Sequence, residues 1–279
     1  LFCGCKLLNA RFAHGGVRHF DFMLTHWTHW QYPRVVSHLR RLTTLTVSCD
    51  AELVKTERLH AVDWSSMPPG LEHVSITVQT PFAPLHAALV QNSSLFHCLR
   101  SFEGHGVGKL FSKDVEVDPN WFPNLERLDL DYEHGNPSNL AVWKLPRSLT
   151  VLQGRFREMR LAPEGTVIER CIVHPCWPPR LVSLSLYLVS TKNYSPSEFG
   201  RLFTTLPRDM ESFKLRTHQK QWADYFEWDA FPPSLKSFGL TASFIAASHI
   251  AKLPRCLTDL NLWNSTFDVP NEIALLLAL

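Results

Sequence analysis

Phe231-Pro232-Pro233-Ser234-Leu235-Lys236-Ser237-Phe238-Gly239-Leu240 decides how this chain is read. A double proline comes first. Proline fixes φ and has no N–H to give a sheet ladder, so it belongs before a strand rather than inside one. After it the apolar residues alternate with small or polar ones. That period of two puts Phe238 and Leu240 on one face and Ser237 and Gly239 on the other.

The same phrase, L-x-x-Φ-x-L with Φ a large apolar residue, recurs along the chain. Val17-Arg-His-Phe20-Asp-Phe22 is a weak first copy, and Leu42-Thr-Thr-Leu45-Thr-Val47 is a clear one. Leu71 to Ile76 follows Pro68-Pro69, and Leu99 to Gly104 is degenerate at its end. Leu125-Glu-Arg-Leu128-Asp-Leu130 follows Phe122-Pro123, and Leu149 to Gly154 follows Leu145-Pro146. Leu181-Val-Ser-Leu184-Ser-Leu186 follows Trp177-Pro178-Pro179, and Met210 to Leu215 follows Leu206-Pro207. Leu257-Thr-Asp-Leu260-Asn-Leu262 follows Leu253-Pro254 and closes the series. Successive copies start 22 to 32 residues apart. The strand is kept while the connections vary in length.

Strands separated by that much chain cannot form hairpins, so they pair in parallel through crossovers. No single copy can bury its apolar face, so neighbours must stack. Some crossovers read as helical. Ser195-Pro196-Ser197-Glu198 carries an N-cap, a proline at the first helical position and a glutamate three residues after the cap. Phe199, Leu202, Phe203 and Leu206 then recur at helical spacing. Shorter helices are expected at Leu85 to Leu89, Trp222 to Phe226, Ile245 to Ile250 and Ile273 to Leu277.

On these residues the chain resembles the leucine-rich repeat superfamily, from about Val17 to the C-terminus. The Leu/Phe/Trp-Pro-x-x-Leu lead-in is similar to the FNIP-type variant, most closely over Phe231 to Phe244 and Leu253 to Asp268. The resemblance implies an α/β solenoid of about ten irregular repeats. A parallel sheet would form the concave side, used for protein binding, with short helices and loops on the convex side. One departure stands out. Such repeats usually place Asn or Cys three residues after the last strand leucine, as a hydrogen-bonded ladder. Here those positions hold Asp50, Gln79, Glu133, Arg157, Val189, His218, Ser243 and Ser265. The turns must then be satisfied in another way. The expected organisation is a single repeat domain over 1–279. Residues 1–16 form an N-terminal segment or cap, 17–269 the repeats and 270–279 a terminal helix. That helix stops without a polar cap, so a partner or further chain is expected to cover it.

Composition narrows the function. Of the 279 residues, 45% are hydrophobic and 19% charged, which suits a folded chain. Net charge is +2, too balanced to imply nucleic-acid contact. No apolar run approaches the roughly 20 residues of a membrane span. The seven cysteines are odd in number and irregularly spaced, which argues against a disulfide framework and for an intracellular chain, cytoplasmic or organellar. The first 20 residues hold no acid but include Lys6, Arg11 and Arg18. This resembles a mitochondrial transit peptide, although an ordinary apolar first repeat is the favoured reading.

Chemistry-bearing motifs are sparse. Cys171, His174 and Cys176 could supply three metal ligands, but no fourth accompanies them and the spacing matches no common zinc site. His26 and His29 read as part of an apolar helix, and Cys3 and Cys5 as small buried residues. Nucleophile elbow, phosphate-binding glycine loop and H-E-x-x-H motifs do not occur. No catalytic residue, cofactor or metal is therefore assigned. The site expected from the repeat is the outward face of the strands. Its middle is acidic at Glu103, Asp129 and Asp131, beside Arg127, and then basic at Arg155, Lys214 and Arg216. Small Ser and Thr residues flank these charges, and Tyr187 and Trp263 are the expected aromatic anchors. The function expected is a non-catalytic protein–protein interaction scaffold, an accessory or structural subunit of a larger multiprotein assembly. The alternative is an adaptor recruiting substrates for ubiquitin transfer or signalling, which needs a further module such as an F-box before the first repeat.

Overall fold

The lead-in turns explain why the strands start where they do. In the computed structural model, the amide of the first phrase residue donates to the carbonyl three residues back. Leu149 donates to Pro146 (3.2 Å), Leu181 to Pro178 (3.0 Å), Met210 to Pro207 (3.1 Å), Leu235 to Pro232 (3.1 Å) and Leu257 to Pro254 (3.1 Å). Proline is well placed there, because the turn asks only its carbonyl for a bond. The next two amides share one carbonyl of the preceding repeat. Glu72 and His73 both donate to Thr43 (2.8 and 2.9 Å), and Lys236 and Ser237 both donate to Glu211 (2.8 and 2.9 Å). The same fork recurs on Arg18, Glu72, Arg100, Thr150, Val182 and Lys236. In these copies it fixes the new strand against the last and satisfies its first amides.

The structure describes residues 17–24, 39, 41–49, 67–76, 90, 96–104, 121–130, 138–160, 167–168, 171–172, 177–189, 196–217, 226–241 and 244–267. The chain divides into two units: residues 1–110 with 114–135, and residues 111–113 with 136–279.

The first unit stacks five strands: β1 (His19–Leu24), β2 (Thr44–Cys49), β3 (His73–Ile76), β4 (Ser101–Gly104) and β5 (Arg127–Leu130). Each pairs in parallel with the next, in the register the phrase dictates: Leu45 lies against Val74, Val74 against Phe102 and Phe102 against Leu128. These side chains are buried, as are the phrase-opening Leu42, Leu71, Leu99 and Leu125. Residues 1–16 and the expected helix at Leu85 to Leu89 lie outside the described residues, as does the His26/His29 pair.

The second unit begins with β6 (Ser138–Ala141), which pairs in parallel with the long β7 (Val151–Arg160) across a register shift. A two-stranded antiparallel hairpin follows, β8 (Val167–Ile168) with β9 (Cys171–Ile172). Then come β10 (Ser183–Leu188), the helix α1 (Pro196–Thr204), β11 (Ser212–Thr217) and β12 (Ser237–Thr241). The unit closes with β13 (Phe244–Ile245), the single turn α2 (Ala247–Ile250), β14 (Asp259–Asn261) and β15 (Thr266–Phe267). Strands β7, β10, β11, β12 and β14 pair in parallel in that order. Strand β13 pairs with β15 as a second, smaller parallel layer. The chain thus builds stacked parallel strands within each unit, a solenoid-like arrangement.

Its core is aromatic in the second unit. Phe199 and Phe203 of α1 are buried, as the helical spacing requires, and Phe203 packs against Phe213 (5.3 Å) and Phe226 (4.9 Å). Phe231 meets Phe238 edge-on at 5.1 Å, and Trp228 stacks on His249 at 4.9 Å. The buried indole N–H of Trp177 donates to the carbonyl of Leu202 (2.7 Å) in the last turn of α1, where helix carbonyls lack an internal partner. Part of the expected Ile245–Ile250 helix is the strand β13, and α2 covers only Ala247–Ile250. The expected Trp222 to Phe226 helix lies outside the described residues except for Phe226, and the terminal helix lies wholly outside them.

Side chains at the other end of the strand also tie successive turns together. In three copies the residue just before the phrase-opening leucine points its side chain at the previous turn. Asn124 Nδ2 donates to the carbonyl of His97 (2.7 Å), and Ser234 Oγ bonds the carbonyls of Arg208 (2.6 Å) and Met210 (2.8 Å). Cys256 Sγ lies against those of Pro233 (2.9 Å) and Leu235 (3.2 Å). Of the positions where the usual ladder would sit, Ser265 keeps a version of it, donating from Oγ to Leu240 (3.3 Å).

Candidate functional site

The parallel register turns the outward strand positions into columns, each continuous within a unit. In the first unit one column runs Thr44, His73, Ser101, Arg127, and the next Thr46, Ser75, Glu103, Asp129. Glu103, Arg127 and His73 are exposed. Asp129 departs from the expected outward acid: it is only 7% exposed. Arg127 Nη2, two residues earlier on the same face, lies 3.9 Å from Asp129 Oδ2. A carboxylate so buried is a weak contact point for a partner, which leaves Glu103 and Asp21 of β1, paired with Thr46, as the exposed acids of this column among the described residues. Asp131 lies outside the described residues.

The second unit presents a denser arrangement. Its first column is Val151, Ser183, Ser212, Ser237, Asp259. Ser237 Oγ donates to Asp259 Oδ2 (2.7 Å), so the one acid of this column is already engaged within the sheet. The middle column is Gln153, Ser185, Lys214, Gly239, Asn261. Here the aliphatic stem of Lys214 lies over Gly239: a Cβ at position 239 would come within 3.0 Å of Lys214 Cγ. The glycine is thus what lets the lysine lie flat across the strand, keeping its stem packed and its ammonium outward.

The third column is Arg155, Tyr187, Arg216, Thr241. Both guanidinium groups fold over the tyrosine ring, Arg155 Cζ at 4.7 Å from its centroid and Arg216 Cζ at 4.8 Å. They come from the strands on either side of β10, so the ring is held between them. Each contact contributes about 0.5–1 kcal/mol at a partly exposed site. The larger effect is positional. Two flexible cations are held in place beside a third, Lys214, on a face whose middle and third columns hold no carboxylate among the described residues. Tyr187 and Arg155 are half-buried, whereas Lys214 and Arg216 are exposed.

The expected anchor Trp263 stands apart from this cluster. It is 65% exposed, in the turn after β14, and its amide donates to Asn261 Oδ1 (3.1 Å). The next residue, Asn264, has φ of 57°, a left-handed conformation that asparagine tolerates better than most residues. The structure thus brings Arg155, Tyr187, Lys214 and Arg216 together and leaves Trp263 at a separate turn. Of the metal candidates, Cys171 falls in β9 and His174 and Cys176 lie outside the described residues.

No family model matches this chain, and no curated protein sequence matches it. Among solved structures it is similar to the leucine-rich repeat-containing protein LegL7 from Legionella pneumophila, at 14% identity and a TM-score of 0.30. That match covers 88% of this chain and 64% of LegL7, so the chain spans about two-thirds of that protein's length. The fold assignment rests on the repeating turn, the fork on the preceding carbonyl and the strand register. None of the described helices is long and apolar enough to cross a membrane.

Proposed function

We propose that this chain is a non-catalytic protein–protein interaction scaffold, and that it serves as an accessory or structural subunit of a larger assembly. The observation that carries the reading is the outward face of β7, β10, β11 and β12. There the short side chains of Ser183, Ser185 and Ser212 leave room for close approach, while Arg155, Tyr187, Lys214 and Arg216 supply fixed charge and an aromatic centre. Small residues beside held cations give a partner both area and register. Glu103 and Arg127 of the first unit and Trp263 at its separate turn are further contact candidates. The adaptor alternative uses the same face but needs a second module to act on what it holds.

Native size in a gentle lysate of the source separates the two. Migration in a large particle, with defined neighbours at fixed stoichiometry, supports the structural subunit. Migration near the chain's own 32.0 kDa contradicts it and favours the adaptor.

A further inference from the structure

We infer that the Arg155–Tyr187–Arg216 clamp, with Lys214 beside it, is built to receive an extended acidic segment of a partner protein. This rests on the reading of the strand face as a protein-binding surface. Three observations point to that occupant. Both guanidinium carbons lie within 5 Å of one ring centroid, so the two cations stand within roughly 10 Å of each other. Extended chain rises about 3.3 Å per residue, so carboxylates two or three residues apart on one peptide span that distance. Second, Lys214 projects from the adjacent column, and its stem is held down over Gly239. Lys214 thus adds a third cation beside the clamp, within reach of a further acid on the same segment. Third, Tyr187 lies between guanidinium groups from its two neighbouring strands. Its ring is thus taken up by cations and does not offer the open stacking platform that a single-stranded nucleic acid uses. Carboxylates on a polypeptide, which arginine receives through paired N–H donors, fit better.

The test is fluorescence anisotropy of a labelled polyglutamate peptide titrated with the full chain, beside polyglutamine and an oligodeoxythymidylate of equal charge. The expected result is polyglutamate binding that weakens with salt and exceeds that of both controls. Arg155→Gln with Arg216→Gln should weaken it roughly tenfold or more. Lys214→Gln, a change at an exposed position that leaves the clamp itself intact, should weaken it severalfold. Lys252→Gln, which removes an exposed cation paired with Asp229 elsewhere in the same unit, should leave it unchanged. Equal loss from Lys252→Gln, tighter binding of the oligonucleotide, or no polyglutamate binding would overturn the inference. Failure here is distinguishable from failure of the broader reading. If Ser185→Trp, which blocks the face sterically, abolishes recovery of the natural partner while the double arginine variant does not, the surface stands and its acidic occupant falls.

Discussion

At the scale of single residues, the structure separates side chains that hold the repeat from those on its outward face. Trp177 belongs to the first group. Its buried N–H is spent on the carbonyl of Leu202, so Trp177→Phe keeps most of the packing and loses that bond. A loss of about 1 kcal/mol is expected, read as a lower midpoint in denaturant at unchanged m-value. Ser234→Ala should cost a similar amount, because it leaves the carbonyls of Arg208 and Met210 short of a donor. Gly239 sits between the two groups. Adding a methyl group there forces the Lys214 stem to shift, since the new Cβ would lie 3.0 Å from Lys214 Cγ. Gly239→Ala should therefore change stability little and partner affinity measurably. A loss of stability above about 2 kcal/mol would show that the lysine cannot yield. The alternation of Ser, Lys, Gly and Arg with buried Leu and Phe was readable from the sequence, because period two has one structural meaning. What could not be read was the burial of Asp129. An acid at an outward position of the phrase reads as exposed, and Asp129 is only 7% exposed.

Among the elements, the strand phrase carries most of the stability. The phrase-opening residue and the central apolar residue of each copy are buried from Leu42 to Phe238. Phe213→Ala should cost about 3–5 kcal/mol, because Phe213 packs against Phe203, Phe231 and Phe238 and the cavity cannot collapse locally. By contrast, the exposed ion pair of Lys236 with Glu211 (2.7 Å) lies between neighbouring strand starts, and Lys236→Ala should cost under about 1 kcal/mol. Thermal unfolding of the two variants side by side checks both values, and comparable shifts would contradict the account. The α1 helix was legible through its spacing of Phe199, Leu202 and Phe203. Strands β6 and β13 were not. Each is short, falls in a crossover of variable length, and gains its ladder only from a neighbour distant in sequence. The turn ladder of Asn124, Ser234 and Cys256 was missed for a related reason. Asparagine and serine before a leucine look like ordinary turn residues until the preceding turn is seen stacked beneath them.

For the whole molecule, the repeats supply a row of outward columns, and function follows from what those columns hold together. The sequence listed nine outward residues as equals. The register singles out four of them, because Arg155, Tyr187 and Arg216 fall in one column and Lys214 in the next. The phrase alignment already puts those three at one repeat position and Lys214 two residues earlier; the folding of both guanidinium groups over the ring is what only the structure shows. The central claim is that this face is where a protein partner docks. The most direct measurement compares recovery of the co-purifying partner from a gentle lysate of the source, using tagged wild-type chain and tagged Ser185→Trp as baits. Matched thermal unfolding curves should establish that both baits are folded. The account predicts that the partner recovered with wild type is lost with Ser185→Trp. Equal recovery with both would contradict it and move the binding site off the strand face.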